Sequence, residues 1–225
     1  MNFSCENLTS SNILKKAIKY HDPGNKWNSF NGILNVTMNS PNQSNRDSEI
    51  TINLPENYFQ LIAIRDSITT RYTIAKEKCT FALNDSTQVF PETAKQYNLN
   101  CERANLYKNY YTYLYGLPMK LKDIGTHLDK NVENKNFKGK DYLVLKVTYD
   151  EAVGSDIWYF YINPETYAME VYQFFKTDDN GEQKNDSGEY ILLTEEHLIN
   201  NIKMPKNRAW YYNKDDGYLG TDILY

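Results

Sequence analysis

The fold is decided by residues 139–176, GKDYLVLKVTYDEAVGSDIWYFYINPETYAMEVYQFFK, in which three strand-forming runs are separated only by short turns. Val144, Val147, Thr148 and Tyr149 give the first run its strand character, and residues 157–162 are all aromatic or β-branched. Asn163 and Pro164 open a turn before the third run, because proline fixes φ and asparagine can bond its own backbone. The stretch predicts three neighbouring antiparallel strands.

Similar alternating runs occupy most of the remaining chain. We expect further strands at residues 33–38, 48–54, 58–65, 69–75, 79–83, 188–193, 201–204, 208–212 and 218–224. The pattern predicts an α+β protein with one antiparallel sheet of roughly ten strands and two or three helices.

Two segments have helical periodicity. The first is expected to begin with Ser10 or Ser11 as its N-cap and to run to about Tyr20. The second runs from Cys101 to Tyr115, with Gly116 in position for a left-handed C-cap. Tyrosines are spread around this second helix, which predicts that it is enclosed on more than one side.

Length and charge narrow the possible classes of protein. The chain has 225 residues and a formal net charge of −4, which suits one domain and gives no basic surface for nucleic acid. No apolar run approaches the ~20 residues of a membrane-spanning helix. We expect residues 1–10 to be an N-terminal tether and residues 11–225 to form one domain. The oligomeric state is left open.

The three cysteines have different expected roles. Cys5 follows a small residue near the start of the sequence, which is typical of the end of a lipoprotein export signal. We therefore expect Cys5 to be a lipidation site. Cys79 and Cys101 could be bridged in an oxidising compartment, but two free thiols are favoured because the sequence does not place their Cα atoms.

Motifs for catalysis and cofactor binding are missing from the sequence, including G-x-S-x-G, G-x-x-x-x-G-K-[ST], G-x-G-x-x-G and H-E-x-x-H. The sequence thus predicts no enzyme, no cofactor and no metal site. His21 ends a helix, where a charged imidazole would interact with the helix dipole, and a structural role is favoured for it. An enzyme would need His21 or His127 beside a nucleophile or a carboxylate in a pocket.

Tyrosine is unusually frequent, with 20 Tyr against 9 Phe and 3 Trp. In residues 157–162 the side chains alternate between the two faces of the strand, so Trp158, Phe160 and Ile162 share one face. Both faces are apolar or aromatic. Either the sheet is packed on both sides, which is favoured, or one side lines a pocket.

Several motifs carry a resemblance to known proteins. They are Phe137-Lys138-Gly139-Lys140, the D-x-W-Y-F-Y-I-x-P-x-T turn at 156–166, the late Lys203-Met204-Pro205, Tyr20-His21-Asp22-Pro23 with Trp27, residues 113–121 (YLYGLPMKL), Gly125-Thr126 and residues 220–224 (GTDIL). With these motifs the chain resembles the LolA-like lipoprotein-carrier half-barrels and a family of uncharacterised bacterial exported lipoproteins.

The resemblance implies a single large curled antiparallel sheet, an incomplete barrel of about ten or eleven strands wrapped around two or three helices, so that residues 11–225 form one half-barrel domain. It also implies a non-catalytic protein of the cell envelope that holds a lipid or another apolar or amphipathic molecule between sheet and helices. The implied location is the periplasmic side, with anchoring to the outer membrane through Cys5. Candidates for the cavity lining are Trp27, Tyr107, Tyr110, Tyr111, Leu114, Leu117, Met119, Trp158, Phe160, Ile162 and Phe174. The alternative is a structural or protein-interaction domain in which the barrel is filled by its own helix and holds no ligand.

Overall fold

A computed structural model describes residues 8–225, and Cys5 therefore lies outside the described residues. The strands are β1 (Asn31–Ser40), β2 (Gln43–Asn53), β3 (Tyr58–Arg65), β4 (Ile68–Ala75), β5 (Lys78–Leu83), β6 (Thr126–Phe137), β7 (Lys140–Tyr149), β8 (Ile157–Ile162), β9 (Met169–Phe175), β10 (Glu189–Ile199), β11 (Ile202–Tyr212) and β12 (Tyr218–Leu224). The helices are α1 (Ser10–His21), α2 (Pro91–Gln96) and α3 (Cys101–Gly116).

The strands form one antiparallel sheet in the order β5-β4-β3-β2-β1-β12-β11-β10-β9-β8-β7-β6. The predicted α+β class and the single sheet are confirmed, and the three runs of residues 139–176 are the neighbouring strands β7, β8 and β9. The described chain has twelve strands instead of ten or eleven. The sheet is open, with β5 and β6 at its edges.

Strand β6 was missed because its sequence, THLDKNVENKNF, is mostly polar. It is an edge strand with only one strand partner, β7, and its register shifts between Leu128 and Val132. Edge strands tolerate polar side chains and bulges, which hide the alternation that identifies inner strands. Strand β11 continues through Pro205, where two shorter strands were expected.

Helix α1 begins one residue earlier than expected, and helix α3 begins at Cys101 as predicted but ends differently. Thr9, rather than Ser10 or Ser11, is the N-cap of α1, and its side chain accepts a hydrogen bond from the backbone N of Asn12. Helix α3 is followed by Leu117 in an extended conformation, with φ −70° and ψ 142°, so the predicted left-handed cap at Gly116 is wrong. The next residue is Pro118, which disfavours helical backbone at Leu117. No helix within residues 8–225 has the length and apolar character needed to span a membrane.

The chain divides into two compact units. Unit 1 contains the described residues up to Pro23, Pro118–Thr194 and Ala209–Leu219, and in it α1 packs on β6 and β7 through Ile13, Leu14 and Ala17. Unit 2 contains Gly24–Leu117, Glu195–Arg208 and Gly220–Tyr225, and in it α3 packs on β3, β4 and β5. The expectation of a single domain over residues 11–225 stays a prediction.

Candidate functional site

One face of β7, β8 and β9 in unit 1 is a closed core. The buried residues of this face are Tyr142, Val144, Ile157, Tyr159, Tyr161 and Val171. Each tyrosine hydroxyl has an acceptor within the chain: Tyr142 donates to Glu170 at 3.0 Å, Tyr159 to Gln183 at 2.8 Å and Tyr161 to Gln173 at 2.6 Å. A buried hydroxyl needs such a partner, so these tyrosines are part of the packing of the sheet.

The same burial changes the acidity of these phenols. Burial, assisted by Tyr159 and Glu133, raises the pKa of Tyr161 to about 12. Burial also raises the pKa of Tyr142, and the neighbouring Glu170 carboxylate adds to this increase. Both groups are therefore neutral hydrogen-bond donors at ordinary pH.

The opposite face of the same strands is aromatic but incompletely covered. Leu145, Phe160 and Tyr172 are opposite one another in register, and each is fully buried. In the next row, Trp158 and Phe174 are cross-strand partners whose rings stack with centroids 4.9 Å apart. Trp158 and Phe174 are both partly exposed.

A third large ring extends this surface within unit 1. Trp210 on β11 is partly exposed and makes an edge contact with Tyr172, with centroids 6.3 Å apart. Trp158 also stacks on Phe160 at 6.0 Å, so the partly exposed rings rest on a buried aromatic base. We call Trp158, Phe174 and Trp210 the aromatic surface of unit 1.

The predicted lining residues are distributed over both units. Unit 1 contains Met119, Trp158, Phe160, Ile162 and Phe174, of which Phe160 and Ile162 are fully buried. Unit 2 contains Trp27, Tyr107, Tyr110, Tyr111, Leu114 and Leu117, and of these only Tyr107 and Tyr110 are not buried. A role of the whole set as a cavity lining stays a prediction.

Tyrosines of α3 form a column of rings in unit 2. Tyr111 stacks with Tyr107 at 6.1 Å and with Tyr115 at 6.3 Å, and Phe59 of β3 stacks on Tyr111 at 6.4 Å. The opposite side of the helix is open, since Leu106 is 50% exposed. The prediction that this helix is enclosed on more than one side is therefore wrong, because only one of its faces is against the sheet.

Two arginines near this column, the half-buried Arg46 and the buried Arg208, were not found from the sequence. Arg46 on β2 donates from Nη2 to the hydroxyl of Tyr111 at 2.9 Å. The guanidinium of Arg208, 1% exposed, lies 4.0 Å from the centre of the Tyr115 ring and donates to the carbonyl of Leu114. The position of Arg46 was a usable signal, because it shares its parity along β2 with the buried Ser48 and thus points to the inner face.

Cys79 of β5 and Cys101 of α3 form a disulfide, with Cα atoms 5.8 Å apart. The favoured interpretation of two free thiols is therefore wrong. The helix packs directly on the edge strand, and this packing brings together two residues separated by 22 positions. The bridge fastens the first turn of α3 to the sheet.

The histidines lie in different surroundings. His21 is 2% exposed and its Nε2 accepts a hydrogen bond from the backbone N of Met169 at 2.9 Å, so its role is structural, but as a buried acceptor instead of a charged group. The Nε2 atom of His127 is 2.5 Å from Oδ1 of Asp150 on an open surface, where both side chains are more than half exposed. Within residues 8–225 no three His, Cys, Asp or Glu side chains are grouped as metal ligands.

A surface groove of about 890 Å³ lies at the turns that follow β2 and β4 in unit 2. It is lined by turn residues such as Asn57, Tyr58, Lys76 and Lys78. None of its lining residues was predicted to bind a ligand.

A family model matches the entire sequence. Residues 1–225 match the family of unknown function DUF6503. The chain belongs to this family. In a sequence search, no curated protein matches this DUF6503 protein.

Solved structures show the same fold. A crystal structure of a LolA superfamily protein from Nitrosomonas europaea aligns with a TM-score of 0.56 over 97% of this chain and 92% of that one, at 10% identity. A DUF1329 family protein from Desulfovibrio piger aligns with a TM-score of 0.49 over 96% and 90% of the two chains, at 8% identity. The first alignment shows that this DUF6503 protein has a LolA-like fold.

Proposed function

We propose that this protein is an exported, non-catalytic binding protein for a lipid or another apolar or amphipathic molecule. The observation that carries the proposal is the difference between the two faces of β8 and β9. One face is a closed core with every tyrosine hydroxyl of its buried cluster bonded, whereas the other leaves the stacked rings of Trp158 and Phe174 partly exposed. Large adjoining apolar surfaces in contact with water are typical of ligand sites.

An alkyl chain is well suited to this surface. Burial of one CH₂ group contributes about 0.8 kcal/mol, so a chain of ~10 carbons gains roughly 8 kcal/mol before the cost of ordering. Such binding requires no catalytic group. The likeness to a LolA superfamily protein supports the proposal at the level of the fold.

The disulfide supports the proposed location outside the cytoplasm. Bonds such as Cys79–Cys101 form and persist in oxidising compartments and are rare in the bacterial cytosol. We propose the periplasmic side of the envelope as the location. Anchoring to the outer membrane through Cys5 is part of the same proposal and rests on the sequence motif alone.

One observation favours the alternative of a structural domain without a ligand. In unit 2 the aromatic column of α3 is packed against Phe59 and Tyr72 of the sheet, as expected for a region filled by its own helix. In unit 1 the main contacts of α1 with the sheet are with β6 and β7, and Trp158 and Phe174 on β8 and β9 remain partly exposed. We therefore favour the binding protein.

Tryptophan fluorescence tests the proposal at the proposed site. A decanol probe with a terminal bromine quenches an indole only at contact, so saturable quenching is expected. The double variant Trp158→Phe, Trp210→Phe should remove most of it, since both indoles of the aromatic surface are then absent. Trp27→Phe, at a 4% exposed ring of unit 2, is the matched control and should leave the quenching intact. Quenching that does not saturate, or that is the same in both variants, would contradict the proposal.

A further inference from the structure

Two arginines of unit 2 lie opposite one another in the sheet. Arg46 of β2 and Arg65 of β3 are cross-strand partners, so their side chains share one face and their Cβ atoms are roughly 5 Å apart. This is the inner face, because Arg46 reaches Tyr111 of α3. Like charges in this arrangement repel each other, so a nearby anion would stabilise the two arginines.

The hydrogen bonds of the two guanidinium groups are incomplete. Arg46 donates from Nη2 to Tyr111, and Arg65 donates from Nη1 to Oε1 of Gln43. The Nε atoms of Arg46 and Arg65 are both buried and have no hydrogen-bond partner anywhere in residues 8–225. A buried charged donor without an acceptor is costly, which indicates a place for one.

The carboxylate of Asp222 acts electrostatically on Arg46. Within the described part of the chain, neither Arg46 nor Arg65 has a carboxylate oxygen within the 4.0 Å of an ion pair. Burial opposes the charge of Arg46, but Tyr111, Tyr107, Asp222 and Tyr110 outweigh this effect and raise its pKa. Arginine is a permanent cation, and Asp222 is the only carboxylate among these four groups.

Phenols near the pair complete the chemistry of an anion site. Tyr107 and Tyr110 act electrostatically on Arg46, and both are accessible to solvent in part. A tyrosine hydroxyl can donate to an oxyanion, as can each guanidinium fork. Arginine forks match the two oxygens of a carboxylate or the oxygens of a phosphate better than any other side chain.

We propose that Arg46 and Arg65 form a binding site in unit 2 for an oxyanion, a carboxylate or a phosphate group. The oxyanion is either a free ion such as inorganic phosphate or the head of an amphiphile such as a fatty acid. This proposal is carried by the arginine pair alone and does not rest on the aromatic surface of unit 1.

Calorimetric titration with three probes tests the site and distinguishes the sources. The probes are decanoate, decanol and inorganic phosphate, and the proteins are the wild type, Arg46→Gln, Arg65→Gln and Arg65→Lys. Arg71→Gln is the matched control, because Arg71 is already paired with Asp85. Thermal unfolding of each variant verifies that it is folded, and Arg65→Lys keeps the charge while removing the planar fork.

If the oxyanion is the head of an amphiphile, decanoate should bind about tenfold or more tightly than decanol. This preference should be lost in Arg46→Gln and Arg65→Gln, reduced in Arg65→Lys and kept in Arg71→Gln. If the oxyanion is a free ion, inorganic phosphate should bind the wild type, and Arg46→Gln and Arg65→Gln should abolish its binding. Anion binding that survives both glutamine substitutions, or a wild type with no preference for either anion, would overturn the proposal. Binding of decanol tests the proposed function separately. A protein without the anion site can therefore be distinguished from a protein that binds no apolar molecule.

Discussion

The indole ring of Trp158 stacks on the ring of Phe174 with centroids 4.9 Å apart and planes inclined by 26°. The two residues are cross-strand partners, and both remain partly exposed although the row beside them is fully buried. Stacking of this kind stabilises the pair, but the outer ring surfaces remain in contact with water. The pair is therefore the part of unit 1 at which we propose that an apolar ligand binds.

Substitution of Trp158 by alanine should affect binding more than stability. Because the ring is partly exposed, we expect Trp158→Ala to lower the free energy of unfolding by only about 1–2 kcal/mol. Phe160→Ala, at a 0% exposed ring on the same strand and face, should lower it by about 3–5 kcal/mol. Urea unfolding measures both, and equal losses would show that Trp158 is an ordinary core residue.

Much of the fold follows from local sequence. The alternation in residues 139–176 identifies β7, β8 and β9, because a packed inner sheet needs apolar side chains on both faces. Strand β6 was not predicted from the sequence, because an edge strand can have polar side chains at nearly every position. The cap of α3 was mistaken for a left-handed Gly116 because the extended Leu117 before Pro118 ends the helix instead.

The candidate site was only partly accessible from the sequence. The alternation shows that Trp158 and Phe160 share a face, but it does not show that one is partly exposed and the other buried, because this depends on what covers each row. Arg46 and Arg65 could be paired only once the β2–β3 register was known. The Cys79–Cys101 bridge likewise depends on the packing of α3 against β5.

Removal of the disulfide should destabilise the protein. A bridge across 22 positions restricts the unfolded chain, and its loss is expected to cost about 3 kcal/mol. The double variant with serine at Cys79 and Cys101 should therefore unfold at a lower urea concentration than the wild type. A reducing agent should shift the wild type in the same direction and leave the double variant unchanged, and an unshifted wild type would argue against a structural bridge.

The tyrosines should titrate in two groups. Burial raises the pKa of Tyr111, Tyr72 and Tyr161 to about 12 each, whereas the pKa of an exposed phenol is about 10. Above about pH 10 the unfolded chain loses these protons before the folded protein does, so stability is retained below that pH and declines as the pH rises towards 12. Tyrosinate absorbance should show a late group in the folded protein that is absent in urea, and a single transition in both would refute this.

His21 should matter for stability and His127 should not. His21→Phe leaves the buried backbone N–H of Met169 without its acceptor, which is expected to cost about 1–3 kcal/mol. His127→Phe removes an exposed contact with Asp150, for which a change within about 0.5 kcal/mol is expected. Thermal unfolding at neutral pH compares the two variants, and a silent His21→Phe would contradict the structural role.

The central claim is that the protein holds an apolar molecule, and native mass spectrometry tests it most directly. The protein is isolated without detergent, stripped of lipid and incubated with decanol. The account predicts a saturable complex with one or a few decanol molecules that weakens in Trp158→Ala and persists in Trp27→Phe. A wild-type spectrum that shows only free protein at every decanol concentration would contradict the claim and favour a structural domain without a ligand.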